Sequence, residues 1–525
     1  MAKKGENGNG GRILWVDDEV DLLRPHVMLL QEEGYRVDAI MNGHDALELL
    51  GSDSYDLVLL DEQMPGLRGI EVLSRLRDRS PRLPVVMVTK SEEDSTMHEA
   101  IGRRADDYIV KPTSPRQVLS VVTRLLEGPA LRHERIAQDF TRRFGQIRQA
   151  MGEAASWDEW AELYGEIVDW ELKLEESAEE GLKDTLASLK TDLRREYCDF
   201  VEARYVDWVH EGGASGPSLS VDVVPQFFRP VLSTETPAML MVVDCLRLDQ
   251  WRAILPLISE LFEVEEALYS SLLPTATPFS RNAIFSALFP DELAEVRPGW
   301  WEMNKEESYN AFEDELFDAL VGELTDYSVP THYEKIFTAD EGRSMLERLP
   351  GYLSEPSATG LVFGFVDLLT HGRSESHILR EMARDDAALR SLTVNWFERS
   401  AAYEALKRAA DRGVPVLFTS DHGSIHCHRS VIVYAKRDAT SNLRYKFGED
   451  LRVEDPRAVF NTGDADDLRL PPGALRTNYV LCREDYFLVY PTKLREYQNR
   501  YRDSFLHGGV SPEEMILPAA LLTPR

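Results

Sequence analysis

The chain has 525 residues, 43% of them hydrophobic and nine of them tryptophan, the profile of a well-packed globular protein too long for a single core. Its 91 Asp and Glu against 59 Lys and Arg leave a formal net charge of −32, the wrong balance for direct DNA binding, which takes a basic face. No apolar run approaches the roughly 20 residues of a bilayer span, and four scattered cysteines without CxxC spacing point to a reducing, cytoplasmic setting.

In chain order, MAKKGENGNG (residues 1–10) reads as a disordered lead without the apolar stretch of a secretion signal. Residues 11–127 alternate short β-rich runs with helical stretches: ILWV, YRVDAI, DLVLL, VVMV and DYIV. That pattern predicts five βα units in a doubly wound parallel sheet. Residues 128–212 carry little proline and predict a helical bundle connector, with helices near Ile136–Met151 and Trp157–Leu174. Leu182, Leu186, Leu189, Leu193, Tyr197 and Phe200 then step by four and three, one stripe of a long amphipathic helix. The stretch EGGASGPS opens a predicted linker over residues 213–232. From residue 233 to 525 strands and helices alternate again, which makes the chain a multidomain α/β protein. Here MLMVVD, LVFGFVD and VLFTSD end at Asp244, Asp367 and Asp421. Three apolar runs that each deliver a carboxylate at the exit suggest a parallel sheet with a site along one edge.

In the first domain, Asp17 and Asp18 follow the first strand, Asp61 the third, Thr89 the fourth and Lys111 the fifth. Clustered carboxylates repel unless a hard cation sits among them, and oxygen ligands at low count suit Mg²⁺. A carboxylate can also take up a phosphoryl group, with a lysine and a hydroxyl nearby to bind its oxygens. WVDDE, LLDEQMPG, VTK and DDYIVKP together resemble a response-regulator receiver domain. The resemblance implies that Asp61 is phosphorylated, that Asp17 and Asp18 help Asp61 hold Mg²⁺, and that Thr89 and Lys111 grip the phosphoryl group. It also implies Tyr108 as the switch aromatic and a cis Lys111–Pro112 bond.

In the last domain, Asp367 and His371 stand four apart in DLLTH, facing the same way on a helical turn. Asp421 and His422 are adjacent, and His507 precedes two glycines that let backbone pass close to a bound group. Mixed Asp and His sets suit Zn²⁺ or Mn²⁺, and a metal pair serves phosphoryl transfer. LPTATPFSRN offers Thr275 or Thr277 as nucleophile, then Arg281 and Asn282 as substrate-binding candidates near a helix start. His426 and His428, which flank Cys427 in IHCHR, suggest a third metal site but read rather as loop or edge-strand positions, Cys245 as core filling, and Asp249 as a helix cap. The aromatic-basic LRYKFG reads either as a substrate contact or as a solvated edge strand.

This set resembles the alkaline phosphatase superfamily, its PglZ branch most closely. The resemblance implies two Zn²⁺ ions, one held by Asp244, Asp421, His422 and the nucleophile Thr277, the other by Asp367, His371 and His507. The order of receiver, helical connector and PglZ-type domain resembles the PorX-type response regulators of the Bacteroidota. That resemblance implies a membrane sensor histidine kinase, a sigma factor contact, a link to type IX secretion and a phosphorylation-promoted homodimer. It further implies phosphodiesterase activity on oligonucleotides, cyclic ones included. A phosphomonoesterase, or a regulator that acts through protein contacts with a structural metal site, is the alternative.

Overall fold

The structure, a computed structural model, describes residues 11–80, 83–89, 105–126, 128–175, 180–211, 216–298, 310–325, 329–435, 442–472 and 477–525. The lead MAKKGENGNG, part of EGGASGPS and the helix expected between the fourth and fifth receiver strands lie outside the described residues. The chain forms two compact units, Met1–Asp139 and Phe140–Arg525.

In the first unit β1 (Arg12–Val16), β2 (Arg36–Ile40), β3 (Leu57–Asp61), β4 (Val85–Thr89) and β5 (Asp107–Val110) form a sheet of order β2-β1-β3-β4-β5. Every pairing is parallel. Alternation along the strands divides the core between two faces. Leu14, Val16, Val58 and Leu60 pack with Val72 on one, and Ile13, Trp15, Leu57 and Leu59 pack with Val118 and Val122 on the other. Asp17 and Asp61 are thereby brought to the same edge as Thr89 and Lys111, the carboxyl ends of the strands.

In the second unit, helix Trp157–Glu175 starts from a reciprocal cap. Glu159 Oε2 accepts from the Ser156 backbone N–H at 2.9 Å, and the Glu159 N–H donates to Ser156 Oγ at 3.3 Å. The predicted stripe lies on helix Glu180–Glu211, where Leu186, Leu189, Leu193 and Tyr197 are buried. Ion pairs join these helices to each other and to the rest of the unit. Lys190 reaches Glu171 (3.0 Å), Arg194 reaches Glu513 (2.6 Å), Arg252 reaches Asp169 (3.0 Å) and Arg390 reaches Glu171 (3.1 Å). Asp249, in the first turn of helix Leu248–Ser259, is held by Arg247 and Arg390 at 2.5 Å each. Much of the predicted linker is built into the fold: residues 220–231 form short helical turns with Val223, Val224 and Phe228 fully buried.

The central sheet contains β6 (Ala238–Val243), β7 (Phe262–Ser270), β8 (Thr331–Ile336), β9 (Ala358–Phe363), β10 (Val416–Thr419) and the C-terminal strand Ile516–Pro524. Neighbours β10, β6, β9 and β8 are parallel, so the exits of β10, β6 and β9 lie side by side. The sheet is mixed rather than wholly parallel, because the C-terminal strand runs antiparallel between β7 and β10. Among the described residues no helix is long and apolar enough to cross a membrane.

Candidate functional site

At the receiver edge, Asp17 and Asp61 are buried and Asp18 is half-buried, with one oxygen from each within 4.8 Å of the others. Lys111 Nζ donates to Asp17 Oδ2 at 2.8 Å and to Asp61 Oδ2 at 2.9 Å. Burial pushes the Asp61 carboxyl up, and Lys111 offsets only part of that. Burial acts to lower the Lys111 pKa, but its two carboxylate partners leave the ammonium above its ordinary value. Thr89 is buried at the end of β4, Tyr108 is 57% exposed, and Lys111–Pro112 is cis. Helix Gly69–Arg79 starts against the end of β3, where a Cβ on Gly69 would lie 2.2 Å from the Asp61 carbonyl. Three carboxylates and no softer donor fit Mg²⁺.

In the second unit the exits of β6, β9 and β10 supply the acids. Asp244 follows β6 directly, and Asp367 lies in the first turn of helix Phe365–Glu375, one turn before His371. Asp421 and His422 follow β10, and Gly423 closes the turn, where a Cβ would stand 2.0 Å from the Glu513 carbonyl. Two trios result, Asp244 with Asp421 and His422, and Asp367 with His371 and His507, each with ligand atoms within 4.8 Å of one another. They adjoin through the stacked rings of His422 and His507, whose centroids are 4.3 Å apart.

The trios have the donor chemistry of a metal pair. His422 Nδ1 donates to the Gly423 carbonyl at 3.1 Å and His507 Nδ1 to the Thr275 carbonyl at 3.3 Å. Both rings are therefore held with the Nε2 lone pair turned inward. Asp421 Oδ1 accepts from the Cys245 and His422 backbone N–H groups at 3.2 and 3.0 Å. Its other oxygen and Asp367 Oδ1 are buried without a hydrogen-bond partner among the described residues. His371 Nε2 and His507 Nε2 approach to 2.9 Å and both face Asp367 Oδ1, at 3.3 and 3.6 Å. Buried acids and lone pairs converging in this way fit a divalent cation of the zinc class. Burial, then the neighbouring Asp421, pushes the Asp244 carboxyl well up despite Arg281. Burial and two neighbouring imidazoles hold His507 well below the usual histidine range.

Thr277 begins helix Thr277–Ser286, with its Oγ1 3.0 Å from His422 Nε2 and 3.4 Å from Asp244 Oδ1. Thr275 is fully buried and engaged elsewhere: its Oγ1 donates to the Gly509 carbonyl at 2.9 Å and accepts from the Gly508 N–H at 3.1 Å. A cleft of about 880 Å³ opens over the trios, with Thr277, Lys335, Tyr445, Arg500 and Tyr501 in its walls.

Several sequence readings need adjustment. Arg281 lines the cleft, but its guanidinium is already bound to Asp244 and, at 2.7 Å, to Glu313. Asn282 is buried, donating to the Pro278 carbonyl at 2.9 Å and accepting from Asn310 at 3.1 Å. In LRYKFG only Leu443 and Tyr445 line the cleft, since Arg444 is sequestered by Glu514 and Lys446 by the Asn442 carbonyl. The glycines after His507 serve close chain packing: a Cβ on Gly508 would meet Tyr445 at 2.5 Å, and one on Gly509 the Cys482 carbonyl at 2.3 Å. Glu313, which organises this region, went unremarked. It is fully buried and accepts from Arg281, Lys335, Tyr333 and Asn310, yet no local motif marks it.

Fold and site thus define a receiver domain joined to an alkaline-phosphatase-like domain. The chain belongs to the family of the BREX system PglZ alkaline phosphatase-like domain, which it matches over residues 223–522, more than half its length. Residues 13–123 match the response regulator receiver domain and residues 130–209 the PorX response regulator linker domain, so the three stand in the order of a PorX-type response regulator. The transcriptional regulatory protein ResD of Bacillus subtilis is 41% identical over 118 residues, 22% of this chain and 49% of its own. SrrA of Staphylococcus aureus is 40% identical over 114 residues, 22% of this chain and 47% of its own. The chain thus spans about half the length of these relatives. Among solved structures, the response regulator TrrA of Thermotoga maritima with Mg²⁺ and BeF is 36% identical, covering 22% of this chain and 98% of its own at a TM-score of 0.21. A CheY-like receiver from Methanospirillum hungatei is 28% identical, covering 23% and 96% at 0.22.

Proposed function

We propose that phosphorylation of Asp61 controls a two-zinc phosphodiesterase in the PglZ-like domain, with Thr277 as nucleophile. The observation that carries this reading is the Thr277 hydroxyl in the cleft wall, 3.0 Å from His422 Nε2, while the Thr275 hydroxyl is bound up in backbone contacts. Asp244, Asp421 and His422 would hold one ion, and Asp367, His371 and His507 the other. A bound pair would stabilise charge on the attacking and leaving oxygens. Thr277 Oγ1 attacks phosphorus, the ester oxygen departs, and water then releases the phosphoryl group from Thr277. Arg281, clamped by Glu313, holds Asp244 in place.

Oligonucleotides, cyclic ones included, are the proposed substrates. In the cleft Tyr501 offers a face for a base and the exposed Arg500 offers charge for a phosphate. The receiver implies a histidine kinase as phosphodonor; its being a membrane sensor, the phosphorylation-promoted homodimer, the sigma factor contact and the link to type IX secretion extend the reading. A hydrolysis screen of zinc-loaded protein against phosphomonoesters, linear diesters and cyclic dinucleotides tests it. Diester cleavage is expected, and cleavage of monoesters alone would replace it with a phosphomonoesterase.

A further inference from the structure

The ribbon formed by strands Ile425–Cys427 and Ser504–Leu506 bears candidate ligands at both ends. Toward the cleft, His422 precedes the first strand and His507 follows the second. At the other end His426, His428 and Asp503 come together, with one ligand atom from each within 4.8 Å of the others. Cys427, between the two histidines, is buried.

His428 and Asp503 form a half-exposed pair at the surface, and His426 adds a third donor beside it. His426 Nε2 donates to the Asp503 backbone carbonyl at 3.0 Å, leaving Nδ1 as the lone-pair nitrogen. Its ring stacks on Phe505, with centroids 4.6 Å apart and planes at 20°, which fixes the direction of that lone pair. Asp503 adopts φ 60°, a left-handed conformation that Asp tolerates better than most residues, and its Oδ1 lies 2.8 Å from His428 Nδ1. Backbone carbonyls fix the tautomers of His422 and His507 in the cleft in the same way. His426 and His428 also line a second cleft, of about 1010 Å³, which gives an ion a path to them.

We propose that His426, His428 and Asp503 form a third metal site, which takes one zinc-class ion through two imidazoles and a carboxylate, with water completing the shell. The ion clamps the far end of the ribbon that presents His422 and His507. The clamp rests on the cleft being the active site; ion binding does not.

Equilibrium dialysis of the full chain against Zn²⁺, with zinc per chain read by atomic emission, tests the site. Wild type is expected to hold one zinc more than His428→Asn, and one more than Asp503→Asn, a variant that keeps the left-handed preference and loses the charge. The measurement is a difference, so it is independent of how many ions the catalytic cleft holds. Zinc content unchanged in either variant overturns the site. Hydrogen exchange tests the clamp: zinc is expected to slow amides of residues 425–427 and 504–506 more in wild type than in Asp503→Asn. Equal slowing overturns the clamp.

Discussion

Replacing Glu313 by alanine is expected to destabilise the C-terminal unit more than most single substitutions. The Glu313 carboxylate is fully buried, with Arg281 at 2.7 Å, Lys335 at 2.7 Å, Tyr333 at 2.5 Å and Asn310 at 2.6 Å. Truncation leaves the Arg281 guanidinium, itself 3% exposed, with half its charge compensation gone. Removing one partner of a buried ion pair costs about 3–5 kcal/mol, because the other charge stays desolvated. At about 2.1 cal/mol/K of unfolding entropy per residue over the unit Phe140–Arg525, each kcal/mol shifts Tm by about 1.2 °C, so Tm should fall by about 4–6 °C. Scanning calorimetry on metal-free protein reads this directly, without zinc binding masking the change. Glu313→Gln keeps an acceptor and should fall between the two. A Glu313→Ala transition within about 1 °C of wild type would refute the reasoning that Glu313 anchors Arg281.

Two further outcomes follow from the same structure. Asp61→Asn should abolish labelling by acetyl phosphate while basal hydrolysis persists, since the two sites lie in different compact units; retained labelling refutes the phosphoacceptor assignment. Burial pushes the Glu171 carboxyl up, but Lys190 and Arg390 outweigh it and hold it at about 2 in the folded state. Its stabilisation, on the order of 3 kcal/mol, is present above about pH 4.5 and is lost as the pH falls through about 2. Denaturant unfolding of Glu171→Gln across that window should therefore show a shallower acid loss than wild type, and parallel curves would contradict the pairing.

The acids of the candidate site were legible because local rules produce them. Asp244, Asp367 and Asp421 end apolar runs, and runs that form adjacent parallel strands deliver their exits to one edge. The Asp367–His371 spacing encodes a helical face by itself. The residues alone left Thr275 and Thr277 open, because each adjoins a proline and only the fold shows which hydroxyl is bound to Gly508 and Gly509. The same holds for Arg281, whose partner Glu313 is set by tertiary packing. The antiparallel C-terminal strand was not legible either, since an apolar run carries no mark of its direction.

Thr277→Ala tests the central claim most directly. Diester hydrolysis and zinc content should be measured on the same preparation, beside Thr275→Ala as the control for the neighbouring hydroxyl. The account predicts that Thr277→Ala loses turnover by about a thousandfold or more, while its zinc content stays at the wild-type level because six Asp and His ligand candidates remain. Thr277→Ala that hydrolyses the diester at the wild-type rate would contradict it.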